Sequence, residues 1–209
     1  MKKRTLKPGT MLNPLPVVLV SCGSGETSNL ITVAWTGIVN SDPPMTYVSV
    51  KKTRHSHDII EKNGEFVINL VNRDLVKACD FCGVRSGRNL DKWKETGLTP
   101  MPASVVSTDM ISESPGNLEC RVLEKHSYPS HDMFVAEIAA VHAAESLINS
   151  AGKVCLEDAE LIVYNHGAYM PVQKKILGTF GFSVMKPKTQ KRKAAERRMK
   201  SRMSRPKKG

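Results

Sequence analysis

The sequence predicts a mainly β protein, a barrel or sandwich with a few short helices. Seven short segments are rich in Val, Ile, Thr and Tyr, and each is bounded by Gly, Pro, Asn or Ser. Short strands separated by turn residues are typical of sandwiches and barrels. The 209 residues suit one domain with a full hydrophobic core.

The predicted strands alternate with turn signals along most of the chain. They cover residues 16–22, 30–35, 45–51, 65–71, 118–125, 132–145 and 160–164. The second strand ends at Trp35, and we expect "NSDPP" to break the sheet after it, because proline cannot donate to a strand ladder.

Three short helices are predicted between these strands. The first covers 56–64, with Ser56 as N-cap and Gly64 as the stop. The second covers 73–81, and the third covers 89–97, between a capping Asn89 and Gly97. Residues 100–117 are expected to form an irregular connection.

The excess positive charge lies at the end of the chain. Of 31 basic and 20 acidic residues, twelve basic and one acidic lie between Lys186 and Lys208, so the remainder is balanced at 19 of each. We predict a domain at 10–184 and a disordered basic tail at 185–209, which has no apolar period. The tail could bind anionic partners weakly through its charge, but it lacks aromatic residues, so no specific nucleic-acid partner is expected.

Composition predicts a cytoplasmic protein without a membrane span. The odd number of cysteines, five, with no signal peptide ahead of them, favours a reducing compartment. The longest apolar runs, such as "LPVVLV", fall far short of the roughly 20 residues that a bilayer-spanning helix needs.

Known catalytic and metal-binding motifs are missing from the sequence. "GSGETSN" at 23–29 is followed by a β-branched strand instead of a helix, so a turn is favoured over a phosphate loop. "CDFC" at 79–82 has no second pair of soft ligands and lies late in a predicted helix. We therefore predict no metal site and identify no catalytic residue.

The stretch from Asn29 to Ile60 is the strongest candidate for a binding site. A strand ending in Trp35 is followed by a strand that closes at Lys51, and "TRHS" then leads into a helix at Ser56. Hydroxyls, a guanidinium and free first-turn amides at one helix start favour an anion. The residues thus indicate a phosphate-bearing planar ligand, with a core tryptophan beside a charged turn as the alternative.

The same stretch carries a family resemblance. "TVAWTGIVNSDPPMTYVSVKKTRHSHDIIEKNGEFVINL" resembles the flavin reductase-like proteins with the FMN-binding split barrel, and specifically their flavoredoxin branch. The resemblance continues through "CGVRSGRNLDKW", "SHDMFVAEIAAV" and "YNHGAYMPVQKKILG", and covers roughly residues 10–180. It implies a Greek-key split barrel with short helices and a homodimer that holds FMN near the subunit interface.

The resemblance also implies the residues that contact the cofactor. Asn29 and the strand residues Thr32, Val33, Ala34, Trp35 and Thr36 are expected to line the flavin, with Trp35 beside the ring system. The ribityl phosphate end is assigned to Ser49, Val50, Lys51, Arg54 and Ser56. Lys92, His131 and Tyr164 are expected to approach the cofactor. Ser56 stands where threonine is common, and Cys79 adds a thiol beside the more usual Cys82.

The implied function is electron transfer through FMN. Electrons would come from NAD(P)H or a redox protein and pass to free flavin, ferric iron or a protein partner. Lys92 or a protonated His131 would stabilise negative charge at the N1–C2=O edge of the reduced ring. One alternative is a non-enzymatic split barrel that docks on nucleic acid or membrane through its tail. Another is an enzyme similar to pyridoxamine-phosphate oxidases, against which the "AWTG…NSDPP…SVKKTRHS" pattern argues.

Overall fold

The computed structural model describes residues 1–186 together with Thr189 and Arg192. The chain divides into two compact units, Met1–Val172 and Gln173–Gly209. The second unit contains a single turn of 3-10 helix, Phe182–Val184, among its described residues. Most of the predicted basic tail at 185–209 lies outside the described residues, and its disorder and its boundary stay predictions.

The first unit is mainly β, as predicted. Its strands are β1 (Leu15–Pro16), β2 (Val18–Cys22), β3 (Asn29–Val33), β4 (Thr36–Ser41), β5 (Pro44–Lys51), β6 (Glu65–Leu70), β7 (Pro100–Met101), β8 (Met110–Ile111), β9 (Gly116–Ser127), β10 (His131–Ala143), β11 (Ile162–Asn165) and β12 (Ala168–Pro171). Its helices are α1 (His55–Asn63), α2 (Val76–Val84) and α3 (Lys92–Thr96).

The main sheet is a split barrel. Its antiparallel strands follow the order β3-β2-β6-β9-β10-β5-β4. Strands β3 and β4 are consecutive in the chain yet lie at opposite edges of this sheet, so the chain crosses from edge to edge at Ala34 and Trp35. Ser49 N donates to Trp35 O at 2.9 Å and ties the crossing to β5. The predicted split-barrel fold is confirmed.

Two smaller sheets complete the described part of this unit. β1, β11 and β12 form one antiparallel sheet, and β7 pairs with β8 in the other. The β7–β8 pair lies within residues 100–117, where the sequence predicted only an irregular connection. That prediction was wrong because each of these strands has two residues, too few to show an alternating pattern.

Strand β2 is buried on both faces and separates two hydrophobic clusters. Val18, Val20 and Cys22 face a barrel core that includes Phe66 and Phe134. Leu19 faces the opposite way, into a cluster with residues of α2 and α3 that include Cys79, Cys82 and Trp93. This division follows from the period of two in a strand. It also explains why β2 reads as a continuous apolar run.

The cysteines of "CDFC" are core residues of α2. Three positions apart, they lie on one helix face and are buried against the sheet. Burial raises the pKa of Cys79 to about 12 and that of Cys82 to about 11. All five cysteines are free, and Cys155 is the partly exposed one.

The prolines do not end the sheet. Strand β3 ends at Val33, before Trp35, and the chain then enters β4, which the sequence did not predict. Asp42 and Pro43 form the turn of the β4–β5 hairpin, where Asn40 Nδ2 donates to Pro43 O at 3.0 Å. Proline is tolerated here because Pro43 lies in the turn and Pro44 is the first residue of β5, where no ladder donor is needed.

Two predicted helix caps were wrong and two were right. Helix α1 begins at His55, so Ser56 is its second residue and Arg54 the N-cap. Asp91, instead of Asn89, caps α3 by accepting from the amides of Trp93 and Lys94. Gly64 and Gly97 end their helices with φ of 68° and 69°, in the left-handed region that favours glycine. The second helix, predicted at 73–81, is displaced to Val76–Val84.

A helix long and apolar enough to span a membrane is absent from the described residues.

Glu119 is a fully buried carboxylate that fixes the loop before β8. Its oxygens accept from the amides of Ser104, Val105 and Val106 at 2.7–3.0 Å and from His142 Nε2 at 2.6 Å. Burial alone raises the pKa of Glu119, but these donors and the Ser104 hydroxyl outweigh it and lower the pKa to about 2. The loop backbone is therefore satisfied by one ionised side chain.

We predict that Glu119→Gln lowers the free energy of unfolding at pH 7 by about 3 kcal/mol, because a neutral amide accepts fewer and weaker hydrogen bonds. The wild-type contribution is present above the unfolded pKa near 4.5 and is lost as pH falls toward 2. Urea unfolding at pH 7 and pH 3 measures both effects. Glu124→Gln, at an exposed position, is the control and should change stability by less than about 0.5 kcal/mol. Equal losses from the two variants would contradict the prediction.

Candidate functional site

A groove lies at the split between β3 and β5. It is lined by Ile31–Trp35 on one side and Ser49–Lys51 on the other, with Arg54 and His131 at its ends, and has a volume of about 190 Å³. No ladder joins β3 to β5 among the described residues. β3 pairs with β2 alone, so its outer backbone edge is free to face a ligand, whereas β5 is paired with β10 and β4. We call this space the groove.

A second space, the polar pocket, lies at the start of α1. It has a volume of about 350 Å³. It is lined by Asn29, Ile31, Lys51, Thr53, Arg54, His55, Ser56, Cys82, Arg85, Ser86, Gly87 and Lys92. Ile31, Lys51 and Arg54 line both spaces, so the polar pocket and the groove form one continuous cleft.

The groove ends in an aromatic pair. Trp35 is 41 % exposed, and its indole lies against the His131 ring with centroids 4.6 Å apart and planes tilted by 37°. Burial, together with the positive charge of Lys51, lowers the pKa of His131 below its usual 6.5. The lowered pKa favours the neutral ring over the protonated His131 that the sequence argument considered, and Lys51 is the direct cross-strand partner of His131.

Ser56 is buried at the base of the polar pocket. Its Oγ accepts from Asn29 Nδ2 at 2.7 Å, which joins the first residue of β3 to the first turn of α1. This turn presents backbone amides that have no partner inside the helix. With Lys51, Arg54, Arg85 and Lys92 around it, the pocket has the donors and the positive charge that bind an anion.

Lys92 contributes a buried ammonium group to the polar pocket. Its Nζ donates to Leu30 O at 2.6 Å and to Cys82 O at 2.8 Å, and the residue is 4 % exposed. Burial lowers its pKa from 10.5. Lys92 lines the polar pocket whereas His131 lines the groove, so the structure separates two side chains that the sequence argument placed at the same ring edge.

The cleft gathers most of the residues assigned from sequence. These are Asn29, Thr32, Val33, Ala34, Trp35, Ser49, Val50, Lys51, Arg54, Ser56, Lys92 and His131. Thr36 and Tyr164 do not line it. The Thr36 hydroxyl donates to Tyr47 O at 2.6 Å, and Tyr164 packs against Tyr169 in the cluster beside α2.

Sequence reasoning missed the loop after α2. Arg85, Ser86 and Gly87 line the polar pocket opposite α1. A Cβ added to Gly87 would meet Asn29 Oδ1 at 2.0 Å, so glycine is required for the loop to approach this side chain. The signal was the alternation of Arg, Ser and Gly in "VRSGR", which is typical of anion-binding loops.

The chain matches one protein family over most of its length. The match covers residues 11–173, and the family is described as the flavin reductase like domain.

Solved structures with the same fold include two flavoredoxins. The flavoredoxin of Desulfovibrio vulgaris (Miyazaki F) is 27 % identical, with a TM-score of 0.81 over 87 % of this chain and 100 % of the other. The flavoredoxin from Methanosarcina acetivorans is 29 % identical, with a TM-score of 0.79 over 88 % and 100 %. A relative from Streptomyces nodosus subsp. asukaensis, named an NADH-dependent FMN reductase, is 28 % identical over 76 % of this chain and 78 % of its own.

We predict that Gly87→Ala destabilises the protein by about 1–3 kcal/mol, because the new methyl group displaces Asn29 from its hydrogen bond with Ser56. Thermal or urea unfolding measures the loss. Gly9→Ala is the matched control, since nothing lies within 4 Å of its added Cβ. If Gly87→Ala were as stable as Gly9→Ala, the loop would not be packed on Asn29 in solution.

Proposed function

The chain belongs to the flavin reductase like domain family, and from this premise we propose that it is an FMN-binding oxidoreductase. The observation that carries the proposal is the continuous cleft, which joins a cationic pocket at a helix start to a groove bordered by an indole. A flavin mononucleotide has the matching parts, a phosphate at one end and a flat ring system at the other.

The polar pocket suits the phosphate. The amides at the start of α1, the hydroxyls of Thr53 and Ser56, and the guanidinium of Arg54 would donate to its oxygens. The Lys92 ammonium has three hydrogens and gives two to backbone carbonyls, which leaves one for the pocket. Lys92 would therefore act on the phosphate end instead of the ring edge.

The groove suits the ring system. The outer backbone edge of β3, which has no partner strand, would hydrogen-bond the polar edge of the ring, and the Trp35–His131 pair would cover one end of it. When bound, the flavin supplies the hydride and electron chemistry itself. The residues of the chain would bind and orient the flavin. With an uncharged His131 at the ring end, the positive charge of the cleft would lie at the phosphate end.

The proposed assembly is a homodimer, as the resemblance implies. Trp35 at the groove and Ile38 and Val39 on the following edge strand are exposed by 41 %, 70 % and 52 %. Apolar side chains that are contiguous along a strand edge are typical of protein interfaces. A second copy on this edge would exclude water from the groove.

The proposed electron donor is NAD(P)H or a redox protein, and the proposed acceptor is free flavin, ferric iron or a protein partner. The relative named an NADH-dependent FMN reductase supports a nicotinamide donor. The flavoredoxins support an electron carrier. The two alternatives differ in whether a nicotinamide reduces the bound flavin directly.

We predict that the protein binds FMN at least tenfold more tightly than riboflavin, because a charge-assisted contact contributes about 1.5–3 kcal/mol. Arg54→Ala should weaken FMN binding about tenfold or more and leave riboflavin binding unchanged. Quenching of flavin fluorescence on titration with protein measures both affinities. Arg73→Ala removes an exposed arginine outside the cleft and is the control. An equal loss of FMN and riboflavin affinity in Arg54→Ala would remove Arg54 from the phosphate site.

We predict that NADH or NADPH bleaches the absorption band of the bound flavin near 450 nm within seconds under anaerobic conditions. This rate is expected of a reductase, whose typical turnover is on the order of 1–1000 per second. Stopped-flow absorbance with each nicotinamide measures the rate, and dithionite gives the end point. Bleaching by dithionite with neither nicotinamide effective would contradict a reductase and leave an electron carrier.

A further inference from the structure

Three pairs of neighbouring residues connect the cleft to a cluster that contains two buried side chains, His57 and Asp132. Lys51, Ser56 and His131 line the cleft. The next residue after each of them, Lys52, His57 or Asp132, belongs to a cluster below it. His131 and Asp132 are consecutive in β10, so their side chains point to opposite faces of the strand. Lys52 directly follows the last residue of β5, and His57 follows Ser56 in the first turn of α1.

Asp132 is the centre of this cluster, which we call the Asp132 cluster (Lys52, His57 and Asp132). Its Oδ2 lies 2.9 Å from His57 Nε2, and its Oδ1 lies 3.3 Å from Lys52 Nζ. Asp132 is 3 % exposed and His57 is 6 % exposed. Burial alone raises the pKa of Asp132, but the interactions with His57, Ser127 and Lys52 outweigh it and lower the pKa.

His57 also contacts two carboxylates of its own helix, α1. Its Nδ1 lies 3.1 Å from Asp58 Oδ1 and 4.0 Å from Glu61 Oε2, and its ring packs on Phe134. Glu61 is paired with Lys125 of β9. Asp58 in turn accepts a hydrogen bond from Arg88 at 3.0 Å. Arg88 directly follows the loop residues that line the polar pocket.

The protonation state of His57 decides how many of these contacts are made. An imidazolium donates from both nitrogens, to Asp132 and to Asp58. A neutral ring can keep the Asp132 bond, but its Nδ1 then presents a lone pair to the Asp58 carboxylate. Burial alone lowers the pKa of His57, but the hydrogen bonds to Asp132 and Asp58 outweigh it and raise the pKa above 6.5.

We propose that His57 and Asp132 are positioning residues that hold the phosphate end and the ring end of the flavin site in register, and that protonated His57 is the form that holds them best. This inference rests on the proposed function. Ser56 at one end and His131 at the other are joined by neighbours 2.9 Å apart, so a loss of this contact changes the spacing between the two ends. His57 itself does not line the cleft.

The variant His57→Gln separates the effect of the His57 proton from the effect of the hydrogen bond to Asp132. A glutamine Nε2 can donate to Asp132 as the imidazole does, but it cannot take up a proton. The FMN affinity of wild type and His57→Gln is measured from pH 6 to pH 9 by fluorescence quenching. The ratio of the two dissociation constants cancels the titration of the FMN phosphate and of every group that the two proteins share.

We expect wild type to bind FMN about two- to fivefold more tightly than His57→Gln at pH 6, because one partly exposed charge pair contributes up to about 1 kcal/mol. The ratio should fall toward one as the pH rises from 6 to 9 and His57 loses its proton. His57→Ala, which loses both contacts, should bind more weakly at every pH, with circular dichroism showing that it is folded. His126→Gln, which removes an exposed histidine paired with Glu124, is the control and should match wild type throughout.

The outcomes separate this inference from the proposed function. Wild type that takes up no FMN at any pH overturns both. Wild type that binds FMN with a ratio to His57→Gln that is constant from pH 6 to pH 9 overturns the inference alone. The inference is supported if the ratio falls as the pH rises while His126→Gln keeps the wild-type affinity. A merely structural role for His57 would not depend on its protonation.

Discussion

The crossing of the chain between the two edges of its main sheet is the constraint on which the site depends. Strands β3 and β4 are joined by Ala34 and Trp35 alone, yet each pairs at a different edge. Because the chain crosses between the two edges here, no hydrogen-bonded ladder joins β3 to β5 among the described residues, and the two strands face each other across the groove. The hydrogen bond from Ser49 N to Trp35 O ties Trp35 to β5 beside the opening.

The asymmetry of the cleft follows from what lies at each end of this opening. At one end β5 runs into α1, so a helix start, hydroxyls and cations collect around Ser56 and Lys92. At the other end β10 contributes His131, whose pKa is lowered by burial and by the charge of Lys51. A single cleft thus has a cationic pocket and an aromatic end, and its polarity is set by strand connections as much as by individual side chains.

The sequence was sufficient to predict the strands with a clear apolar pattern, the ends of two helices at Gly64 and Gly97, and most residues that line the cleft. It did not reveal β4, since Pro43 and Pro44 resemble a sheet breaker until they are known to occupy a hairpin turn and the first position of the next strand. Thr36 was grouped with the strand that ends near Trp35 for the same reason. In the structure it is the first residue of β4, which pairs with β5. Tyr164 was assigned by resemblance alone, and its packing against Tyr169 depends on a separate sheet that no local pattern indicates.

The burial of the thiols has a practical consequence for work on the protein. Cys22, Cys79, Cys82 and Cys120 lie in the two clusters beside β2, and burial raises their pKa values. Thiolate is the reactive form, so these side chains are protected from electrophiles while the fold is intact. Cys155, on a 3-10 turn outside the cleft, is the accessible exception. A maleimide dye would therefore attach there first, giving a native labelling position for single-molecule spectroscopy without engineered cysteines.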